Sequence, residues 1–252
     1  MADVSFADPL SLLAIALAMA MGGVLKGATG AGAPILAVPL MTAIYDVRVA
    51  VAVMVIPSIV TNVAQARRYR ADRVEPGFAG KMATAGAIGV ALGSVLLVSL
   101  PVGALQLSMA VMIAAYVAMR LGRPDLKLEL PQARRLVWPA GFLGGALQGA
   151  VGLSAPVSLT FLNAMRLPRP VFIFTVSVYF VTMSIAQLAV QGPLGIMTRE
   201  LALLSLLAVL PLVAAMPLGE AIGRRFAPRT FDLAILGFLA LLAVRLVWAE
   251  LT

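Results

Sequence analysis

Two short glycine-rich stretches interrupt long apolar runs in this chain of 252 residues. Residues 27–34 read GATGAGAP, and residues 149–156 read GAVGLSAP. Glycine lets a ligand approach the backbone closely, and proline is favoured in the first turn of a helix. We therefore expect each stretch, called the first and the second break below, to start a new short helix. Because a helix N-terminus has free N–H groups and a positive dipole end, we predict that both breaks face one central cavity near the bilayer midplane and bind an anion between them.

Polar side chains flank these breaks. Lys26 precedes the first break, where the second copy has Gln148, and Ser154 in the second break is of a type favoured as a helix N-cap. An ionisable residue inside a membrane is by default a functional hypothesis, so Lys26 is a predicted anion contact. The alternative is a lysine that snorkels to the membrane interface.

The helix that follows each break carries a polar face. Residues 58, 61, 62 and 65 (Ser, Thr, Asn and Gln) recur at helical spacing, and Ser177, Ser184 and Gln187 follow the second break, with Thr182 nearby. Such groups also hydrogen-bond between helices, at ~0.6–2 kcal/mol each, so structure and substrate contact both remain open for Gln65 and Gln187. The predicted substrate-binding residues are Lys26, Thr29, Gly30, Gly32, Ala33, Asn62, Gln65, Gly152, Ser154, Ala155, Tyr179 and Gln187.

The composition is that of a membrane protein. Hydrophobic residues make up 62% of the chain, charged residues 12%, and the mean hydropathy is +1.02. The absence of cysteine and histidine excludes disulfides, thiol chemistry and the commonest metal ligand, and we expect no metal and no cofactor. The net charge of +8 is attributed to basic loops that set membrane orientation, so no nucleic-acid partner is expected.

The chain contains an internal duplication. Residues 22–65 align without a gap onto residues 144–187, at a constant offset of 122, and the copies share Gly30/Gly152, Pro34/Pro156 and Gln65/Gln187 among other pairs. Paired broken segments in the two halves of a membrane protein point to the substrate site of a transporter. Glycines also pack helices closely, as spacings such as Gly89-x-x-x-Gly93 indicate, but packing does not explain a proline at the same place in both copies.

Ten apolar segments are predicted, at 9–26, 33–45, 48–66, 80–99, 101–119, 138–151, 155–165, 170–191, 200–217 and 230–250. The positive-inside rule places four basic loops in the cytoplasm. Their residues are Arg67, Arg68, Arg70 and Arg73; Arg120, Arg123, Lys127, Arg134 and Arg135; Arg166 and Arg169; and Arg224, Arg225 and Arg229.

This orientation predicts two inverted halves. Residues 138–165 must start and finish inside, but they are too few for two spans of ~20 residues, so a longer arm and a short helix form a hairpin. Residues 9–46 form the same hairpin from the opposite side. The predicted fold is thus an all-α polytopic membrane protein with two inverted-topology repeats, each a broken re-entrant-type hairpin followed by three spanning helices. Repeat 1 covers 1–121, a cytoplasmic loop covers 122–137, and repeat 2 covers 138–252. Both termini are then periplasmic; eight conventional helices in parallel repeats are the alternative.

These residues resemble the sulfite exporter TauE/SafE family, also called the 4-toluene sulfonate uptake permease family. The resemblance covers nearly the whole chain and rests on residues 27–39 with Pro34 and Pro39, on residues 144–156, and on Arg67 after the following helix. It implies a multi-pass carrier of the bacterial inner membrane for small anions such as sulfite, sulfoacetate or other sulfonates. The second copy has Phe161 in place of Pro39, so we expect the half-sites to differ.

The predicted function is secondary transport, with export favoured. No ATP-binding motif is present, and Glu220 and Asp232 lie near predicted cytoplasmic ends instead of deep in a span. An anion that leaves an inside-negative cell gains ~2.3 kcal/mol per charge per 100 mV, so no coupling ion is required, although proton coupling through Lys26 or the substrate stays open. An intramembrane enzyme that uses Ser154 with Lys26 and an accessory membrane subunit are the alternatives, and we expect no catalytic residues. The sequence predicts no particular oligomeric state.

Overall fold

A computed structural model describes residues 9–122, 126–225 and 228–251, and these residues form helices joined by short connections, without a strand. Arg123 of the second predicted loop lies outside the described residues. The helices are α1 (Pro9–Thr29), α2 (Ala33–Thr42), α3 (Val47–Arg68), α4 (Phe78–Ser99), α5 (Val102–Gly122), α6 (Leu130–Val151), α7 (Ser158–Ala164), α8 (Arg169–Gln191), α9 (Arg199–Leu207), α10 (Val209–Arg225) and α11 (Pro228–Leu251).

Among the described residues, six stretches of helix are long and apolar enough to cross a membrane. They are α1, α3, α4, α5, α8 and the nearly continuous pair α9 and α10. Large apolar side chains are exposed on their outer faces, among them Leu17, Ile88 and Leu210. A soluble monomer rarely exposes so many, which fits a multi-pass membrane protein whose outer surface contacts lipid.

The predicted segments match the helices, with two exceptions. The segment 200–217 is divided into α9 and α10, and α10 continues to Arg225. Helix α6 begins at Leu130 instead of residue 138. Pro131 lies in its first turn, and Gln132 Oε1 accepts a hydrogen bond from Glu129 N, so local capping starts the helix ahead of the apolar run. The predicted loop 122–137 is therefore too long. The predicted order of a longer helix and a short one is present in both halves, because α6 is followed by the seven-residue α7, and the 21-residue α1 by the ten-residue α2. The entry of the two hairpins from opposite sides of the membrane stays a prediction.

The two halves exchange their packing partners. The duplication offset of 122 relates α1 to α6, and α4 to the pair α9 and α10. In the structure α1 packs most extensively on α10, and α6 packs most extensively on α4. Helices α3 and α8 pack together, as do α5 and α11. Each half therefore supplies the other with its closest neighbour, so neither half buries its first helix alone.

Glycines allow these exchanged contacts. A Cβ added to Gly23 would lie 2.2 Å from Leu212 O, and one added to Gly27 would lie 2.0 Å from Met216 O. The contacts advance together along both helices, so α1 and α10 run parallel. Helices α4 and α6 are parallel for the same reason, since Gly145 meets Gly86 and Gly149 meets Val90. Close packing is thus a confirmed role for glycines before both breaks.

An ion pair joins two of the predicted cytoplasmic loops. Arg134 Nε, near the start of α6, donates to both carboxylate oxygens of Glu75, in the connection between α3 and α4, at 3.0 and 3.1 Å. The hydrogen bond from Arg134 lowers the pKa of the Glu75 carboxyl. The end of α3 and the start of α6 therefore lie at the same end of the bundle.

Candidate functional site

The first break is a tight backbone reversal between α1 and α2. Gly30 and Gly32 have φ of 84° and 89°, a region that residues with a Cβ rarely adopt, and Gly32 is the N-cap of α2. Gly30 N donates to Lys26 O at 2.7 Å and ends α1. Thr29 Oγ1 lies within hydrogen-bond reach of Leu25 O and Ala31 O, so backbone carbonyls engage its hydroxyl.

The second break has the same glycine but a different continuation. Gly152 has a φ of 73°, and its N–H donates to Gln148 O. The predicted N-cap role of Ser154 is wrong, because α7 begins only at Ser158, and the Ser154 carbonyl accepts from Val157 N and Ser158 N. The residues between Ser154 and Ser158 form a turn before α7 begins. Phe161, which replaces Pro39, stacks on Phe78 with ring centroids 6.4 Å apart, so the two half-sites differ as expected.

Each break lies against the third helix of the opposite half. A Cβ at Gly30 would lie 2.5 Å from Ile173 Cγ1 of α8, and a Cβ at Gly152 would lie 3.0 Å from Val51 Cγ2 of α3. Val51 and Ile173 are themselves related by the offset of 122. The breaks therefore occupy equivalent positions in the two halves.

Lys26 and Asn62 form a buried pair between α1 and α3. Lys26 is 2% exposed, and its Nζ donates to Asn62 Oδ1 at 2.7 Å. The Asn62 amide in turn donates to Ser58 O at 2.7 Å and to Ser58 Oγ at 3.2 Å. Snorkelling is thus excluded as the role of Lys26. No carboxylate lies within ion-pair distance of Lys26 in the part of the chain that the structure describes.

In its charged form, the buried amine of Lys26 has no countercharge among the described residues. An ammonium has three N–H donors, and Asn62 takes one of them. Burying a charge is costly unless it is paired and hydrogen-bonded. A bound anion would supply both the countercharge and the acceptors.

Two cavities flank the first break. One, called the first-break cavity below, measures about 260 Å³ and is lined by Gly27, Gly30, Val60, Thr61, Ala64, Gln65, Arg68, Tyr69, Arg169, Ile173, Val213, Met216 and Glu220. The other measures about 180 Å³ and is lined by Leu25, Thr29, Ala31, Ile35, Tyr116, Arg120, Leu159, Asn163, Phe172, Ile235 and Leu236. Either volume is large enough for a small oxyanion with some of its water.

Three arginines that were predicted only to set the membrane orientation border these cavities. Arg68 and Arg169 line the first-break cavity, Arg120 lines its neighbour, and Arg169 Nη2 donates to Ala28 O at 3.2 Å. Their position at helix ends beside the breaks was the available signal. Gln65 also lines the first-break cavity, and its Oε1 accepts from Ser177 Oγ at 3.3 Å. Gln65 therefore makes a structural bond and also borders the cavity.

The other predicted residues lie away from this cavity. The Tyr179 hydroxyl donates to Gly141 O at 2.9 Å and joins α8 to α6. Ala33 is buried, and Ala155 lines a space of only about 10 Å³. Gln187 and Ser154 are buried, and Gln187 Nε2 and Ser154 Oγ have no hydrogen-bond partner. A Ser154–Lys26 dyad is not formed, because the ammonium binds Asn62.

The two breaks lie at different levels of α3. Gly152 contacts Val51 near the start of α3, whereas the cavity beside Gly30 includes Gln65 near its end. Fourteen residues of α-helix separate these positions, which is about 21 Å. Neither cavity beside the first break is lined by a residue of the second break.

A family model described as Sulfite exporter TauE/SafE matches residues 14–246. No curated protein and no solved structure gives a significant match to the chain.

Proposed function

Because this chain belongs to the sulfite exporter TauE/SafE family, we propose that it carries small sulfur-containing anions, such as sulfite or sulfonates, across the bacterial inner membrane. The observation that carries the proposal is the buried amine of Lys26, which has Asn62 as its hydrogen-bond partner and no carboxylate beside it among the described residues. Sulfite and sulfonate groups present three oxygens that accept hydrogen bonds and carry the missing charge. Charge-assisted hydrogen bonds of this kind are stronger than neutral ones.

The first-break cavity is the proposed route to Lys26. Arg68 and Arg169 line it and attract anions to its mouth. Lys26 itself is not a lining residue, but Gly27, the next residue in the chain, lines the cavity, as does Gly30. The arginines lie at the end of the bundle to which the positive-inside rule assigns the cytoplasm. An anion that enters there and leaves at the other side is driven outward by the inside-negative membrane potential, which supplies ~2.3 kcal/mol per charge per 100 mV. Export therefore needs no carboxylate relay.

Helix directions support inverted repeats. Tyr45, just before α3, donates to Ser11 O near the start of α1, so α1 and α3 start at the same level and run the same way. Arg48, at the start of α3, donates to carbonyls of Leu97 and Leu100 at the end of α4, so α4 runs opposite to both. Because α6 is parallel to α4, it runs opposite to α1, its counterpart in the other half. Opposed counterparts are what an axis in the membrane plane would produce.

Flux into proteoliposomes tests the proposal. Protein is reconstituted with sulfite or methanesulfonate outside, under a potential positive inside the vesicle, and anion accumulation is followed. We expect accumulation that collapses with the potential and is lost in Lys26→Met but retained in Gln148→Met, the equivalent position in the second half. No flux of sulfite or of any sulfonate by the wild type would contradict the proposal.

A further inference from the structure

Buried polar atoms without a hydrogen-bond partner occur at positions that the duplication relates to residues lining the first-break cavity. Gln65, Tyr69 and Met216 line that cavity. The offset of 122 relates these positions to Gln187, Gln191 and Ser94. All three equivalents are buried, and each has a polar atom without a hydrogen-bond partner among the residues that the structure describes: Gln187 Nε2, Gln191 Nε2 and Oε1, and Ser94 Oγ.

The three side chains belong to one level of the bundle. Gly86 of α4 packs on Tyr179 and Met183 of α8. Helix α4 runs opposite to α3, as described above. Helix α8 also runs opposite to α3, because Gln65, near the end of α3, meets Ser177 in the first half of α8. Helices α4 and α8 are therefore parallel. Two turns beyond Gly86, Ser94 therefore reaches the level of Gln187 and Gln191. Ser94 N would also lie 2.8 Å from a Cβ at Gly149, the residue equivalent to Gly27.

Their unpaired state distinguishes them from a structural polar network. A buried polar group without a partner destabilises the folded protein, and native structures contain few such groups. Leucine or alanine would fill the same space without that cost. The equivalent residues Gln65, Tyr69 and Met216 border a cavity instead, where Gln65 has both solvent-sized space and a bond to Ser177.

We propose that Ser94, Gln187 and Gln191 form a second substrate station for the same oxyanion, at the end of the bundle opposite to the first-break cavity and closed in this conformation. The proposal rests on the proposed transport function. The side-chain amide N–H groups of Gln187 and Gln191 and the Ser94 hydroxyl donate to sulfite or sulfonate oxygens when the station opens. The side-chain oxygen Oε1 of Gln191 accepts from a water that hydrates the anion. The neighbouring position equivalent to Lys26 is the uncharged Gln148. An anion held only by neutral donors binds more weakly than at Lys26, which suits a station for release.

Cysteine labelling tests whether the station opens, independently of transport. The chain has no cysteine, so Gln191→Cys introduces a single thiol at a buried position. Tyr69→Cys is the equivalent at the first-break cavity, and Leu105→Cys is a fully buried control on α5. We expect an impermeant methanethiosulfonate reagent to modify Cys at 191 from one side of the membrane and Cys at 69 from the other, and to leave the control at 105 unmodified. Absence of modification at 191 from either side would overturn the proposal.

Flux separates a substrate station from a structural role. Gln187→Leu and Gln191→Leu each remove one set of neutral hydrogen bonds, so we expect flux of sulfite or methanesulfonate to fall about three- to tenfold per substitution. Anion affinity measured by calorimetry at the Lys26 site stays unchanged, thermal stability stays the same or rises, and Gln191→Asn retains more flux than Gln191→Leu. Wild-type flux in both leucine variants would overturn the proposal. Loss of flux together with loss of anion affinity would also overturn it, because the effect would then lie at the Lys26 site. Wild-type protein that transports no anion contradicts the proposed function, and the labelling result then decides whether this end opens.

Discussion

Replacing Lys26 with methionine tests the anion site most directly. The Lys26 ammonium is 2% exposed and donates one 2.7 Å hydrogen bond to Asn62 Oδ1. Methionine is of similar length and has no charge, so it keeps the packing of α1 while removing the ammonium. Since a buried charge without a countercharge is costly, we expect Lys26→Met to unfold at the same or a higher temperature than the wild type.

The expected loss of affinity follows from the burial of the charge. Two unit charges about 4 Å apart attract by about 4 kcal/mol at an effective dielectric constant near 20. The loss of hydration by both ions offsets part of this attraction. The remainder is close to a charge-assisted hydrogen bond, about 1.5–3 kcal/mol, so Kd should rise roughly ten- to a hundredfold.

Isothermal titration calorimetry with sulfite and with methanesulfonate measures this change on purified protein. Gln148→Met is the matched control, because Gln148 is the buried equivalent of Lys26 in α6 and carries no charge. We expect the control to bind with nearly wild-type affinity. An unchanged Kd in Lys26→Met would refute the reasoning and leave anion recognition to backbone amides and hydroxyls alone.

Three further predictions address the break, the packing and the orientation. Gly30→Ala should weaken anion binding more than Gly77→Ala. Both glycines have positive φ, but a Cβ at Gly30 would lie 2.5 Å from Ile173, whereas one at Gly77 would meet nothing within 4 Å. Equal affinities of the two variants in calorimetry would contradict this prediction. Gly27→Ala should lower the free energy of unfolding by about 1–3 kcal/mol, because the added Cβ would lie 2.0 Å from Met216 O. Gly80→Ala is the matched control, because a Cβ there would meet open space. A cysteine in place of Arg70 should react with impermeant reagents only from the cytoplasmic side, and one appended to the C-terminus only from the periplasmic side; a cytoplasmic C-terminus would refute the inverted topology.

The sequence alone determined the elements of this protein and its family. Lengths of apolar runs and the positions of glycine and proline act locally, so they predicted the helices, both breaks and the short return helices α2 and α7. The duplication paired Gly30 with Gly152, and in the structure each lies against a residue of the opposite half, Ile173 and Val51, that the same offset relates. The resemblance to the TauE/SafE family, first seen at the breaks, is confirmed over residues 14–246.

Only the tertiary structure decided which side chains meet. Lys26 lies beside Asn62, and Arg68 and Arg169 border the cavity, because helices far apart in the chain pack side by side. The direction of a side chain depends on how its helix crosses its neighbours, and no local pattern encodes that crossing. The same limit applies to Tyr179, whose hydroxyl joins α8 to the Gly141 carbonyl of α6. It also explains Ser154, a favourable N-cap type that lies before a helix which starts four residues later.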